Sequence, residues 1–150
     1  GADSVCIFAC VCVMESCLTR KKLKLLVVDR ESQHCDLIRH CADILDGEFN
    51  CELQFASSGK KALSLIQSFE PNVVLIDVYM QDMTGFELLE QCCEGAAPVI
   101  ITSKNCSEEI RDAAFEKGAT LFVPKSDDPD EIEHLFYAIA TLAESCMVKH

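Results

Sequence analysis

The sequence predicts an α/β domain built on a doubly wound, five-stranded parallel sheet. Three observations carry this. From Leu23 onward, short apolar runs alternate strictly with amphipathic helical patterns, as βα units require. The first, third and fourth runs are almost continuously apolar, as central parallel strands covered on both faces must be. The second and fifth are more mixed, as edges are, and Pro124 ends the fifth, where a residue with no N–H to donate is tolerated. The expected strand order is 2-1-3-4-5. A chain of 150 residues is enough for one domain with a full core and too little for two.

The elements follow in order. Leu23–Val28 reads as the first strand. A helix is expected over about Ser32–Leu45, with Leu37, Ile38, Cys41, Ile44 and Leu45 on one face. The second strand covers about Cys51–Phe55. The next helix, near Lys60–Phe69, brings Ala62, Leu63, Ile66 and Phe69 together. The third strand is Val73–Ile76, closed by Asp77, and a short helix runs from about Phe86 to Cys93. The fourth strand, Val99–Ile101, reaches Thr102. A helix then begins near Ser107 and stops at Gly118, a good C-terminal cap. The fifth strand is about Thr120–Val123. In the last helix Asp128 is the expected cap, Pro129 suits the first turn and Glu131 completes a capping-box pattern. Its stripe is Ile132, Leu135, Phe136, Ile139, Leu142, Ala143 and Cys146.

The domain is therefore expected over residues 23–146, with a short tail at 147–150. Residues 1–22 are expected to be an extension, disordered or left over from processing. The apolar run Val5–Val13 is too short to span a bilayer, and Asp3 stands where a secretory leader would be basic. The formal net charge is -12. That argues against direct binding to nucleic acid, which needs clustered Lys and Arg, and against docking on anionic lipid. It suits a protein partner and a carboxylate cluster holding a divalent cation.

The chain has eleven Cys. An odd number, many within expected helices and strands, does not describe a secreted disulfide scaffold. They read as small buried hydrophobes in a reducing, cytoplasmic setting. Cys6, Cys10, Cys12 and Cys17 are close in sequence but lack the paired spacing usual for zinc. His34, His40, His134 and His150 show neither metal spacing nor a triad setting and are read as surface or helix-face residues.

Ligands of such sheets bind beyond the carboxyl ends of the strands, at the switch point beside strands 1 and 3. There the first strand delivers Asp29, followed by Arg30 and Glu31; the third delivers Asp77; the fourth delivers Thr102 and Ser103; the fifth delivers Lys125. A carboxylate can act as nucleophile toward a phosphoryl group. A divalent cation relieves the repulsion of two neighbouring carboxylates. A lysine ammonium and a hydroxyl can each take a phosphoryl oxygen.

Five segments, in order and at suitable spacings over roughly residues 23–146, resemble the response-regulator receivers, which have a flavodoxin-like fold. LLVVDRES resembles the family's first strand with its acidic pair, and ASSGKKAL the entry to its second helix. VVLIDVYMQDMTGFELL resembles the phosphoacceptor block, PVIITS the fourth-strand block and GATLFVPK the fifth. The resemblance implies a non-enzymatic, phosphorylation-dependent switch. Asp77 would accept a phosphoryl group from a histidine kinase or a histidine phosphotransfer protein. Asp29, Asp77 and the backbone carbonyl of Tyr79 would hold Mg²⁺, while Thr102, Ser103 and Lys125 would contact the phosphoryl. Thr102 and Phe122 would be the switch pair. The output face would be the fourth helix, fifth strand and fifth helix, read by a downstream protein or output domain, or used for a homodimer.

Two departures stand out. The family usually carries two adjacent acids after the first strand, and here Arg30 takes the second position. Arg30 reads first as an exposed surface arginine, with a reach to the phosphoryl or a pairing with Asp77 as the alternative, and Glu31 is the remaining acid that could modify the site. Ser126 replaces the usual proline after the lysine, which makes a cis peptide there unexpected. A second reading follows from Arg30: a pseudo-receiver, the same fold used as a phosphorylation-independent interaction module. Enzymes on similar sheets fit poorly. A phosphatase with an aspartyl nucleophile would want an acid where Tyr79 stands, and a flavodoxin would want a Ser/Thr/Gly-rich loop after the first strand.

Overall fold

The computed structural model describes residues 22–92 and 97–148. The strands are β1 (Leu23–Val28), β2 (Cys51–Ala56), β3 (Val73–Asp77), β4 (Val99–Ser103) and β5 (Leu121–Pro124). They form one parallel sheet in the order β2-β1-β3-β4-β5, the expected arrangement. Between and after them lie α1 (Ser32–Ile44), α2 (Gly59–Phe69), α3 (Gly85–Gln91), α4 (Glu108–Glu116) and α5 (Pro129–Val148).

Because strand side chains alternate in direction, the apolar runs fill two cores. Leu25, Val27, Leu75 and Ile100 face α1 and α5, where they meet Ile38, Cys41, Phe136 and Ile139. Leu26, Val28, Val74, Ile76 and Ile101 face the other way, onto Ala62 of α2, Leu88 and Leu89 of α3, and Ala114 of α4. Each fully buried Leu, Ile or Phe contributes roughly 1.5–3 kcal/mol relative to exposure. This two-sided covering is why the three central strands read as continuous apolar runs.

Helix starts are held by local hydroxyls. Ser58 accepts from Lys61 N, Thr84 from Glu87 N and Ser107 from Ile110 N, each satisfying an N–H that has no partner within its helix. Gly118 follows α4 at a positive φ of 106°, as its capping role requires.

Several expectations need correction. The packed stripe of α1 runs through His34, Ile38, Cys41 and Leu45. Ile44 lies about 100° round the helix from Leu45 and is 68% exposed rather than on the packed face. His34 is no surface residue: it is 5% exposed, with Nδ1 3.4 Å from Asp127 Oδ1. Cys35, Cys41 and Cys92 are buried as expected, whereas Cys106 is exposed. Burial, with the charge of Asp29 adding to it, pushes the Cys35 thiol up to about 11, so it packs as a neutral group. At α5, Asp128 accepts from Asp130 N, but its own N–H donates to Ser126 Oγ rather than to Glu131. The capping box is thus half formed. α5 continues through Val148, two residues past the expected end of the domain.

The extension with its four Cys, the expected place of Cys93, and the side chain of Cys146 lie outside the described residues. No helix among the described residues is long and apolar enough to cross a membrane.

Candidate functional site

The carboxyl ends of the strands bring the polar residues to one rim. Asp29 is the first residue beyond β1 and Asp77 the last of β3, and both are buried. Thr102 of β4 is the register partner of Asp77, and Ser103 that of Pro124. The chain leaves β5 with Lys125 N donating to Ser103 O at 3.0 Å, which aims the lysine back across the rim.

Its side chain, 1% exposed, ends among three carboxylates. Lys125 Nζ lies 2.7 Å from Asp77 Oδ2, 2.9 Å from Asp29 Oδ2 and 3.1 Å from Glu31 Oε1. Burial alone lowers an ammonium pKa. Here hydrogen bonds to Asp77 and Asp29, with the charges of both, outweigh it and hold Lys125 above the usual lysine range. The charged form of the lysine is the form that belongs to this site.

Glu31 joins the cluster, although neighbouring loop residues need not converge. It sits at the N-cap of α1 but makes no side-chain cap. Its backbone N–H donates to Asp29 Oδ1 at 2.8 Å, which turns its carboxylate inward. One oxygen meets Lys125 and the other meets Lys104 Nζ at 3.2 Å. The hydrogen bond from Lys125, helped by Lys104 against some burial cost, holds its carboxyl below the usual range. One oxygen from each of Asp29, Glu31 and Asp77 lies within 4.8 Å of the others.

The other expected residues fall out as follows. Tyr79 N donates to Asp77 Oδ1 at 3.1 Å, and the residue is 44% exposed. Ser103 is buried, and its hydroxyl accepts from Asn105 N at 3.1 Å, which shapes the turn after β4. Phe122 is half-buried on the α2–α3–α4 side of the sheet. Arg30 does not enter the site: it is exposed, and among the described residues it makes no ion pair with Asp77 or any other acid. No cis peptide bond occurs among the described residues, in line with Ser126 after the lysine.

Lys104 was not singled out by the sequence. Its one signal was position, two residues beyond Thr102 at the same strand end. Also unforeseen is a cleft of about 290 Å³ between β5 and α5, where His34, Lys125 and Ser126 meet the apolar Val123, Ile132 and Leu135.

Three hard oxygen donors close together on a rim suit a small divalent cation such as Mg²⁺. The buried ammonium among them supplies positive charge to the same carboxylates. The arrangement can therefore hold together a nucleophilic carboxylate, a cation and an ammonium that donates to a phosphoryl oxygen.

A family model described as the response regulator receiver domain matches residues 25–137. Curated relatives agree. The positive alginate biosynthesis regulatory protein of Pseudomonas aeruginosa is 30% identical over 103 residues, 69% of this chain and 41% of that protein. A two-component response regulator of rice, Oryza sativa subsp. japonica, is 41% identical over 85 residues, 52% of this chain and 62% of that protein. The chain thus spans about half the length of these two relatives. Among solved structures, a receiver domain protein of Methanospirillum hungatei superimposes with a TM-score of 0.72 at 20% identity, covering 83% of this chain and 98% of that one. The chemotaxis response regulator CheY4 of Vibrio cholerae does so at 0.69 and 24%, covering 79% and 99%. The chain belongs to the response regulator receiver domain family.

Proposed function

We propose that this receiver is a phosphorylation switch that takes a phosphoryl group onto Asp77 from the phosphohistidine of a kinase or phosphotransfer protein. The observation that carries the reading is the 2.7 Å contact of Lys125 Nζ with Asp77 Oδ2, inside a cluster of three carboxylates. In the transfer, an Asp77 oxygen bonds to phosphorus as the donor's N–P bond breaks, and the leaving imidazole takes up a proton. Lys125 offers its ammonium to the charge gathered on the phosphoryl oxygens. Asp29, Asp77 and the Tyr79 carbonyl, now with Glu31, are the groups that would hold Mg²⁺. When bound, the cation supplies charge neutralisation for both the carboxylates and the transferring group.

Thr102, in register with Asp77, then turns its hydroxyl to the phosphoryl, as Ser103 and Lys125 also contribute contacts. Phe122 follows inward from β5. The changed surface is the face of α4, β5 and α5, read by a downstream protein or output domain, or closing a homodimer. The setting is cytoplasmic, without direct contact to nucleic acid or membrane. The chain acts as a signalling module rather than an enzyme on other substrates.

The pseudo-receiver reading took its motive from Arg30. Arg30 still replaces the second acid, but it is exposed and pairs with none of the site acids, while Glu31 adds a carboxylate to the cluster; both favour the switch. The deciding experiment is incubation with Mg²⁺ and acetyl phosphate, followed by intact-mass measurement. One added phosphoryl group, lost in Asp77→Asn, is the expected result. No adduct, together with no spectral response to beryllofluoride, would move the assignment to a phosphorylation-independent interaction module.

A further inference from the structure

The loop between β3 and α3 carries the Tyr79 carbonyl, and it is held at three places. At its start, Tyr79 N donates to Asp77 Oδ1. At its base, Gly85 N donates to Val78 O at 2.8 Å. At its tip, Asp82 reaches across to another element: Oδ1 accepts from Gly59 N at 2.9 Å and Oδ2 from Lys60 N at 3.0 Å. These are the first two residues of α2, whose N–H groups have no partner within the helix. The helix dipole favours a negative charge at that end. The two backbone bonds hold the Asp82 carboxyl below the usual range.

This is not a cap from the helix's own sequence. Ser58 already serves Lys61 N, and Asp82 arrives from far along the chain to take the two N–H groups left over. Met83 completes the contact. Its side chain occupies the space beside Gly59, and a Cβ at Gly59 would overlap the Met83 thioether. α2 is itself packed on β1 and β2, so the loop tip is fastened to the body of the domain.

We propose that Asp82 is a positioning residue for the cation site: its latch onto the start of α2 fixes where the Tyr79 carbonyl points. The inference rests on the reading that Asp29, Asp77 and this carbonyl hold Mg²⁺. Tyr79 lies between Asp77, fixed at the end of β3, and Asp82, fixed on α2. With the Asp82 bonds gone, the tip of the loop keeps only the packing of Met80 and Met83 between its hydrogen-bonded ends, and the carbonyl is free to change direction. Asp82 touches none of the reacting groups, so its removal acts through the loop alone.

The test uses the full chain, with Mg²⁺ titrated calorimetrically and the rate of Asp77 phosphorylation by acetyl phosphate measured across Mg²⁺ concentrations. Asp82→Ala is expected to raise the Mg²⁺ needed for half-saturation about tenfold, as loss of a group that orients a metal ligand does, with the rate at saturating Mg²⁺ within about twofold of wild type. Asp82→Asn keeps one acceptor oxygen and should fall between the two. Gly59→Ala, which displaces Met83 while leaving Asp82 intact, should weaken Mg²⁺ binding in the same way. Thermal unfolding of each variant establishes that it is folded, and Asp82 is exposed, so its substitutions leave the core alone. Wild-type Mg²⁺ binding unchanged in Asp82→Ala overturns the latch. So does a loss of maximal rate with no change in half-saturation. A wild-type chain that neither binds Mg²⁺ nor takes a phosphoryl group overturns the parent reading, and the latch with it.

Discussion

Lys125 Nζ and Asp77 Oδ2 sit 2.7 Å apart, although 48 residues separate them along the chain. The contact is the closest of three that the ammonium makes with Asp77, Asp29 and Glu31. Two of these carboxylates are buried, and the lysine supplies the positive charge that faces both of them.

Lys125→Met should therefore be destabilising without Mg²⁺, by about 3–5 kcal/mol, the usual cost of leaving buried charge unpaired. Added Mg²⁺ should restore part of that loss, because a ligand of the native state stabilises it. Wild type should gain less from Mg²⁺, since its ammonium already serves the carboxylates. Urea unfolding with and without Mg²⁺ measures both effects. A variant as stable as wild type in Mg²⁺-free buffer would show that the lysine does not hold the acids in place.

Arg30 and Glu31 should behave oppositely. Glu31 contributes one of three clustered oxygens, so Glu31→Gln should weaken Mg²⁺ binding by about tenfold, the scale on which supporting groups at metal sites act. Arg30 is exposed and outside the cluster, and Arg30→Ala should leave Mg²⁺ affinity within about twofold, as surface substitutions away from a site do. Calorimetric titration of the two variants compares them directly. Equal losses would mean that Arg30 supports the loop that presents Glu31 and is not a bystander.

This pair also marks what the sequence could and could not say. Strand order was legible because burial on both faces writes itself as unbroken apolar runs, and β1, β3 and β4 carry them. The convergence of Asp29, Asp77, Thr102 and Lys125 was legible because every parallel strand ends on the same rim. Glu31 was not, because its direction depends on a single backbone hydrogen bond to Asp29. Lys104 and Asp82 were missed for a related reason: each is placed by a loop, and no periodicity in the chain reports that. The burial of His34 was in the helical spacing with Ile38, Cys41 and Leu45, but its polarity masked the signal.

The pH dependence of stability follows from the shifted groups. Glu31 and Asp82 are held below their ordinary 4.5 and 3.8 in the fold. Their contribution is complete above those values and is lost as pH falls through the lower, folded values. Lys125 is held above its ordinary 10.5. Its contribution is complete below 10.5 and is lost as pH rises through the higher, folded value. Urea midpoints measured from pH 3 to 11 should show a fall on the acid side of a broad plateau and the onset of a fall above 10.5, with Glu31→Gln flattening the acid limb and Lys125→Met the alkaline onset. An acid limb unchanged in Glu31→Gln would assign the loss to other carboxylates.

Gly85 ties the end of β3 to the helix that follows it. A Cβ at this position would lie 2.5 Å from the backbone oxygen of Asp77 and 3.0 Å from Val78 Cα. Both neighbours are backbone, so neither can swing aside as a flexible side chain could. Gly85→Ala should therefore push α3 away from the end of β3, or push Asp77 itself. The first outcome strains the packing of Leu88 and Leu89, which are buried against the sheet, and costs about 1–3 kcal/mol, as overpacking does. The second moves the Asp77 carboxylate relative to Lys125 and lowers the rate of phosphorylation. Measuring urea stability beside the acetyl phosphate rate separates them. If stability and rate both match wild type, the close approach of Gly85 to Asp77 is not the constraint it is taken to be.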